Sequence, residues 1–221
     1  MLETRELEVG YFLQKGKISV SRNISFKLHK GEMAAIVGVN GIGKSTLLRT
    51  LARVQDKLSG SVLVNGSSVE NYKNKDWAME LSVVLTEPLA SKNLTVQQLI
   101  SLGRHPYTNW IGTLSAKDIE KTHQAISLVG LKELKDKKCY ELSDGQLQKV
   151  MIARALAQDT NIILLDEPTT HLDLYHKVQI LKILQHIAHH TNKIVLFTTH
   201  EIDLAIQLCD KILIMEERGN F

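Results

Sequence analysis

Apolar and polar positions alternate with a period of two over residues 1–32, interrupted by the turn signal Gln14-Lys15-Gly16-Lys17. That is the pattern of an antiparallel hairpin. Gly60-Ser61-Val62-Leu63-Val64-Asn65-Gly66 adds a short strand and an Asn-Gly turn to the same β-lobe. Met33-Ala34-Ala35-Ile36-Val37 reads as a buried strand, with a helix over Ser45 to Val54 behind it. Between about 88 and 141 the period becomes helical. One helix carries Leu94, Gln97 and Gln98 behind a cap at Asn93 or Thr95. A second carries Asp118, Ile119, Thr122, Ala125, Ile126 and Val129, and Gly130 stops it. Helix and strand then alternate: Gln146–Gln158, Asn161–Asp166, Leu174–His189, Lys193–Thr199, Glu201–Leu208, Lys211–Met215. Alternation of this kind builds α/β layers around a parallel sheet. The expected organisation is one domain over 1–221. Residues 1–87 and 142–221 form the parallel core and the antiparallel β-lobe, and about 88–141 form an inserted helical lobe.

Chemistry enters at the strand ends. Gly38-Val39-Asn40-Gly41-Ile42-Gly43-Lys44-Ser45, followed by Thr46, lies between the strand at Met33 and the helix at Ser45. It fits the phosphate-binding pattern G-x-x-x-x-G-K-[ST]. Glycines let backbone N–H groups crowd around phosphate oxygens, Lys44 reaches the outer phosphates, and the Ser45 hydroxyl suits Mg²⁺. The fold class that follows is a P-loop NTPase with a RecA-like parallel sheet. Ile162-Ile163-Leu164-Leu165 is apolar throughout, as in a strand buried on both faces. It delivers Asp166 and Glu167 to the carboxyl edge, where open α/β sheets bind ligands. Asp166 is placed to hold Mg²⁺, and Glu167 to orient or deprotonate a water. Leu142-Ser143-Asp144-Gly145-Gln146 precedes a helical run, with Ser143 at the N-cap and free N–H groups presented to an anion.

These motifs, in this order, resemble the nucleotide-binding subunit of ABC transporters over nearly the whole chain. Gly38 to Ser45 match Walker A, Leu142 to Gln146 the LSGGQ signature, and Ile162 to Glu167 Walker B. His171-Leu172-Asp173 resembles the D-loop, and His200 the switch histidine. Tyr11 stands where the family stacks an aromatic ring on adenine. The resemblance implies ATP and Mg²⁺, with Lys44, Glu167 and His200 catalytic and Ser45, Asp166 and Thr86 at the metal. It implies that Ser143, Gly145, Gln146 and Asp173 serve a nucleotide bound by a second copy of the chain. It also implies a helical lobe that contacts membrane permease subunits, and an external binding protein beyond them. The chain would then sit in the cytoplasm, peripheral on the inner face of the membrane.

Two positions depart from the family. Thr86 follows the strand Leu81–Leu85 where a glutamine is usual, and either Thr86, through a water, or Glu87 replaces it. Asp144 replaces the first signature glycine, and its carboxylate is expected to point away or to cap the helix. Gly103-Arg104-His105-Pro106-Tyr107-Thr108 and the spelling Leu-Ser-Asp-Gly resemble importers of iron–siderophore complexes, haem and cobalamin. A soluble ABC ATPase of DNA repair or ribosomes, and a slow assembly switch, stay open as alternatives. The first usually carries a coiled-coil insertion or a second cassette.

Composition narrows the picture further. A net charge of +3 with scattered lysines does not call for nucleic acid. No run approaches the ~20 apolar residues of a membrane span, and no signal peptide opens the sequence. Cys139 and Cys209 lack metal-ligand spacing and read as free thiols. His189-His190, ending a helical pattern, reads as a surface pair. Family members usually continue past the position of Phe221, so a shortened C-terminus is expected.

Overall fold

The computed structural model describes residues 1–14, 16–87, 89 and 91–216. Lys15 of the hairpin turn, Pro88 and Ala90 at the start of the helical lobe, and the expectation about the C-terminus at Phe221 lie outside them. Strands β1 (Leu2–Phe12) and β2 (Lys17–Leu28) pair antiparallel as the alternation predicts. β4 (Ser59–Val64) and β5 (Ser67–Ser68) extend this sheet in the order β2-β1-β4-β5. The second sheet is parallel. Its members are β3 (Met33–Val37), β6 (Leu81–Val84), β7 (Ile162–Leu165), β8 (Ile194–Thr199) and β9 (Lys211–Ile214), ordered β6-β7-β8-β3-β9. β3, β7 and β8 are buried from end to end, which is why they read as continuous apolar runs.

The period of two divides the parallel sheet between two cores. Ala34, Ile36, Ile162, Leu164 and Leu196 face helix α1 (Lys44–Leu51) and the antiparallel sheet, where Leu47, Leu48 and Val64 meet them. Met33, Ala35, Ile163, Leu165 and Phe197 face the other way. On that side lie α3 (Val96–Ser101), α4 (Ala116–Leu128), α5 (Asp144–Ala157) and α6 (Leu174–Thr191). The helical lobe shares this core, since Leu99, Ile100, Ile126 and Val129 belong to the same cluster as the sheet residues. It is a layer on the sheet, not an independently packed unit.

Element ends differ from the sequence reading by a few residues, for local reasons. α1 stops at Leu51, and Arg53 then turns left-handed at φ +57°. Thr95, rather than Asn93, caps α3 with a reciprocal capping box to Gln98. α5 starts at Asp144 behind Ser143, so Asp144 is a first-turn residue and not a cap. α6 runs past His189 to Thr191, ending at Asn192 with φ +52°. The sequence reading did not foresee α2 (Asn74–Glu80), which feeds β6. A last helix, α7 (Ile202–Leu208), precedes β9.

Arg104 and Asp118 fasten the helical lobe. Both are buried, with Nε donating to Oδ1 at 2.8 Å. The guanidinium also donates to the Ala157 carbonyl at 2.7 Å and lies 3.8 Å from the Tyr107 ring centroid. Burial alone would push the Asp118 carboxyl up, but hydrogen bonds from Ser115 and the Arg104 guanidinium outweigh it and hold it below the usual range. The Pro-broken segment 103–108 is thus an anchor between α3, α4 and α5.

Candidate nucleotide site

The phosphate loop joins β3 to α1. Gly43 precedes the helix at φ +109°, and a Cβ there would come within 2.4 Å of Val20 Cγ1, so only glycine fits. Thr95, Ser115, Ser143 and Asp173 cap α3, α4, α5 and α6 through their side chains. α1, like α2 and α7, has no side-chain cap. Its first N–H groups are left for an anion, as a triphosphate requires. Lys44 is buried, and its Nζ folds back over the loop to donate to the carbonyls of Gly38 at 2.8 Å and Val39 at 3.1 Å. Burial lowers the Lys44 ammonium from its ordinary value, while Glu167 and Asp166 pull it back up.

The centre of the site is Asp166. Its Oδ1 accepts from Ser45 Oγ at 2.9 Å and from Thr198 Oγ1 at 2.7 Å. Its Oδ2 accepts from Thr86 Oγ1 at 2.8 Å. Glu167 follows at φ +45°, with Oε1 3.8 Å from Lys44 Nζ and Oε2 accepting from Thr170 Oγ1 at 2.9 Å. The loop after β6 therefore turns Thr86 into the site, while Glu87 pairs with Arg49 at 3.2 Å. The hydroxyls of Ser45 and Thr86 and the Asp166 carboxylate are hard oxygen donors, which is the donor chemistry Mg²⁺ prefers. Tyr11 is 46% exposed, and its hydroxyl lies 3.1 Å from Thr46 Oγ1, which ties the ring to the start of α1. His200 lines an apolar cavity with Gly38, Val39 and Asn40. Its Nε2 is 3.9 Å from Glu201 Oε1.

The remaining motif residues have local partners. Ser143 and Gln146 form a reciprocal capping box at the start of α5. Gly145 lies against His176, so a Cβ would come within 3.1 Å of that ring. Asp173 caps α6 by accepting from the His176 N–H at 2.9 Å, and it also contacts His176 Nδ1 at 2.8 Å. Asp144 is exposed and lines a cleft with Thr86, Asp166, Glu167 and His171.

The family model described as ABC transporter matches residues 21–170. This chain belongs to the ABC transporter family. Its catalytic motifs are those of the subunit that binds and hydrolyses ATP. The chain is 37% identical over 100% of its length to the achromobactin transport ATP-binding protein CbrD of Dickeya dadantii, of which it spans 80%. It is 35% identical over 98% of its length to the petrobactin import ATP-binding protein FpuD of Bacillus anthracis, spanning 78% of that protein. Among solved structures it resembles cbiO1 from Clostridium perfringens, part of the ABC transporter complex cbiONQ. The TM-score is 0.85 at 29% identity, covering 99% of this chain and 85% of that one. The β-lobe, parallel core and helical lobe described above are the cassette fold of this ABC transporter subunit.

Sequence reasoning missed Thr198 and Thr170, both in direct contact with the Walker B pair. The only signal for Thr198 was the pair of hydroxyl residues, Thr198-Thr199, that ends an otherwise apolar strand. It also overlooked the spacing of His186 and His190, whose rings stack 4.2 Å apart on α6. His189 next to them pairs with Asp210 at 2.9 Å. Cys139 and Cys209 are free. No helix among the described residues is long and apolar enough to cross a membrane.

Proposed function

We propose that the chain powers uptake of an iron–siderophore or related metal chelate through partner permease subunits. Two relatives that match 100% and 98% of this chain are named for achromobactin transport and petrobactin import, and this supports the cargo class. The observation that carries the catalytic reading is the gathering of Ser45, Thr86 and Asp166 beside the Lys44–Glu167 contact. Phosphoryl transfer asks a protein mainly for position and charge stabilisation. Lys44 and the loop amides neutralise the triphosphate. Ser45, Asp166 and Thr86 would hold Mg²⁺, which would supply further positive charge at the phosphates. Glu167 takes the proton of the attacking water, and His200 holds the terminal phosphate. Tyr11 stacks on adenine.

Ser143, Gly145 and Gln146 at the α5 N-terminus, with Asp173, serve the nucleotide of a second copy, so ATP occupancy closes a homodimer and hydrolysis opens it. The chain works on the inner face of the membrane, against the permease, with an external binding protein delivering cargo and no nucleic acid involved. The test is uptake of radiolabelled ferric siderophore by cells lacking this gene. Wild-type chain restores uptake, Lys44→Ala does not, and the permease copurifies with the chain from membranes. Uptake that is normal without the chain contradicts the cargo assignment.

A further inference from the structure

Resting on the reading of Glu167 as the group that activates water, we propose that Thr198 is the residue that positions it. Thr198 belongs to no motif and is wholly buried near the end of β8. Its hydroxyl accepts a hydrogen bond from the Glu167 N–H at 2.8 Å and donates one to Asp166 Oδ1 at 2.7 Å. The two bonds straddle the peptide that joins the metal-binding and water-activating carboxylates.

The place needs such a bracket. β7 and β8 pair in parallel register only as far as Leu165 opposite Phe197. Asp166 and Glu167 lie beyond the last rung, and Thr198 continues the link by side chain where the backbone ladder stops. Glu167 sits in the left-handed region at φ +45°, which a residue with a Cβ adopts rarely. Such a conformation persists only where its surroundings over-determine it. Thr198 holds the backbone of Glu167 on one side, and Thr170 holds its carboxylate on the other. β8 continues through Thr199 directly to His200. One hydroxyl therefore references the water-activating glutamate and the switch histidine to the same strand end.

Thr198→Val keeps the shape and removes both bonds, and Thr198→Ser keeps the hydroxyl. The measurements are steady-state ATP hydrolysis by the purified chain with Mg²⁺, and ATP affinity by equilibrium dialysis. A misplacement of about 1 Å costs on the order of 100-fold in rate, so Thr198→Val is expected to lower kcat by roughly 10- to 100-fold. Positioning, unlike uniform binding, leaves KM and ATP affinity within about threefold of wild type. Thr198→Ser is expected to return kcat to within about threefold. The proposal is overturned by any of three results. Thr198→Val is indistinguishable from wild type in kcat, it loses ATP affinity in step with kcat, or Thr198→Ser is as impaired as Thr198→Val. Should the valine variant not fold, Thr198→Cys, of similar shape and weakly hydrogen-bonding, takes its place with the same outcomes. Glu167→Gln, run alongside, separates the two levels. If it hydrolyses ATP normally, the base assignment fails. If it is inactive while Thr198→Val is fully active, only the positioning role fails.

Discussion

At the scale of single residues the site turns on hydroxyls. Ser45, Thr86 and Thr198 all donate to the one carboxylate of Asp166, from three separate segments of the chain. Thr86, where the resemblance implies a glutamine, reaches Asp166 with its short side chain. Thr86→Val preserves shape and deletes the donor, so ATP turnover should fall by about tenfold, the price of roughly one hydrogen bond to a charged group. Thr86→Gln should keep turnover near wild type. A fully active Thr86→Val combined with an inactive Glu87→Gln would move the role to Glu87. Tyr11 makes a separate claim. Base–aromatic stacking contributes about 1–3 kcal/mol, so Tyr11→Ala should weaken ATP affinity by about 5- to 150-fold with little change in kcat. Equilibrium ATP binding checks this, and unchanged affinity in a destabilised variant would make Tyr11 a packing residue.

At the scale of elements, what holds the helical layer is one buried ion pair and one shared core. Removing a partner from a buried pair leaves an uncompensated charge and typically costs about 3–5 kcal/mol. Asp118→Ala should destabilise the chain by that order in urea unfolding. The pH dependence follows from the lowered Asp118 carboxyl. A carboxyl lowered on folding contributes stability above its unfolded value of about 3.9, and that contribution is lost as pH falls through the folded value. Wild type should therefore lose more stability than Asp118→Ala on going from about pH 5 downward. Equal losses would deny the pair its role. Cys209 gives a further check. Burial, and then Asp210, push its thiol up to about 12, so it should resist alkylation at pH 8 in the folded chain and react on unfolding.

The same scale shows what the sequence made legible. Walker A, the signature and Walker B each put their chemistry within a few adjacent residues, and buried strands such as Ile162–Leu165 betray themselves by composition. Contacts between distant segments leave no such trace. Thr198 and Asp166 are 32 positions apart, and Arg104 reaches Ala157 across 53. α2 has too few turns to show a helical period. The helical lobe was visible as a change of period, but its dependence on the sheet for a core was not, because that is a property of packing.

At the scale of the whole molecule, the parallel sheet is the common wall of two cores, and the phosphate loop, Asp166, Glu167 and His200 all sit at strand ends on its carboxyl edge. The signature residues Ser143 to Gln146 lie at the start of a different helix, α5, and Leu174 and Tyr175, which follow Asp173, are exposed. The central claim is that ATP bound here is hydrolysed with Glu167 as base and that hydrolysis separates two copies. Glu167→Gln conserves shape and cannot take the proton. Size exclusion of this variant with ATP and Mg²⁺, beside its steady-state turnover, is the most direct measurement. The account predicts ATP binding, a stable ATP-dependent dimer and no measurable hydrolysis. Hydrolysis near the wild-type rate, or a variant that stays monomeric with ATP bound, would contradict it.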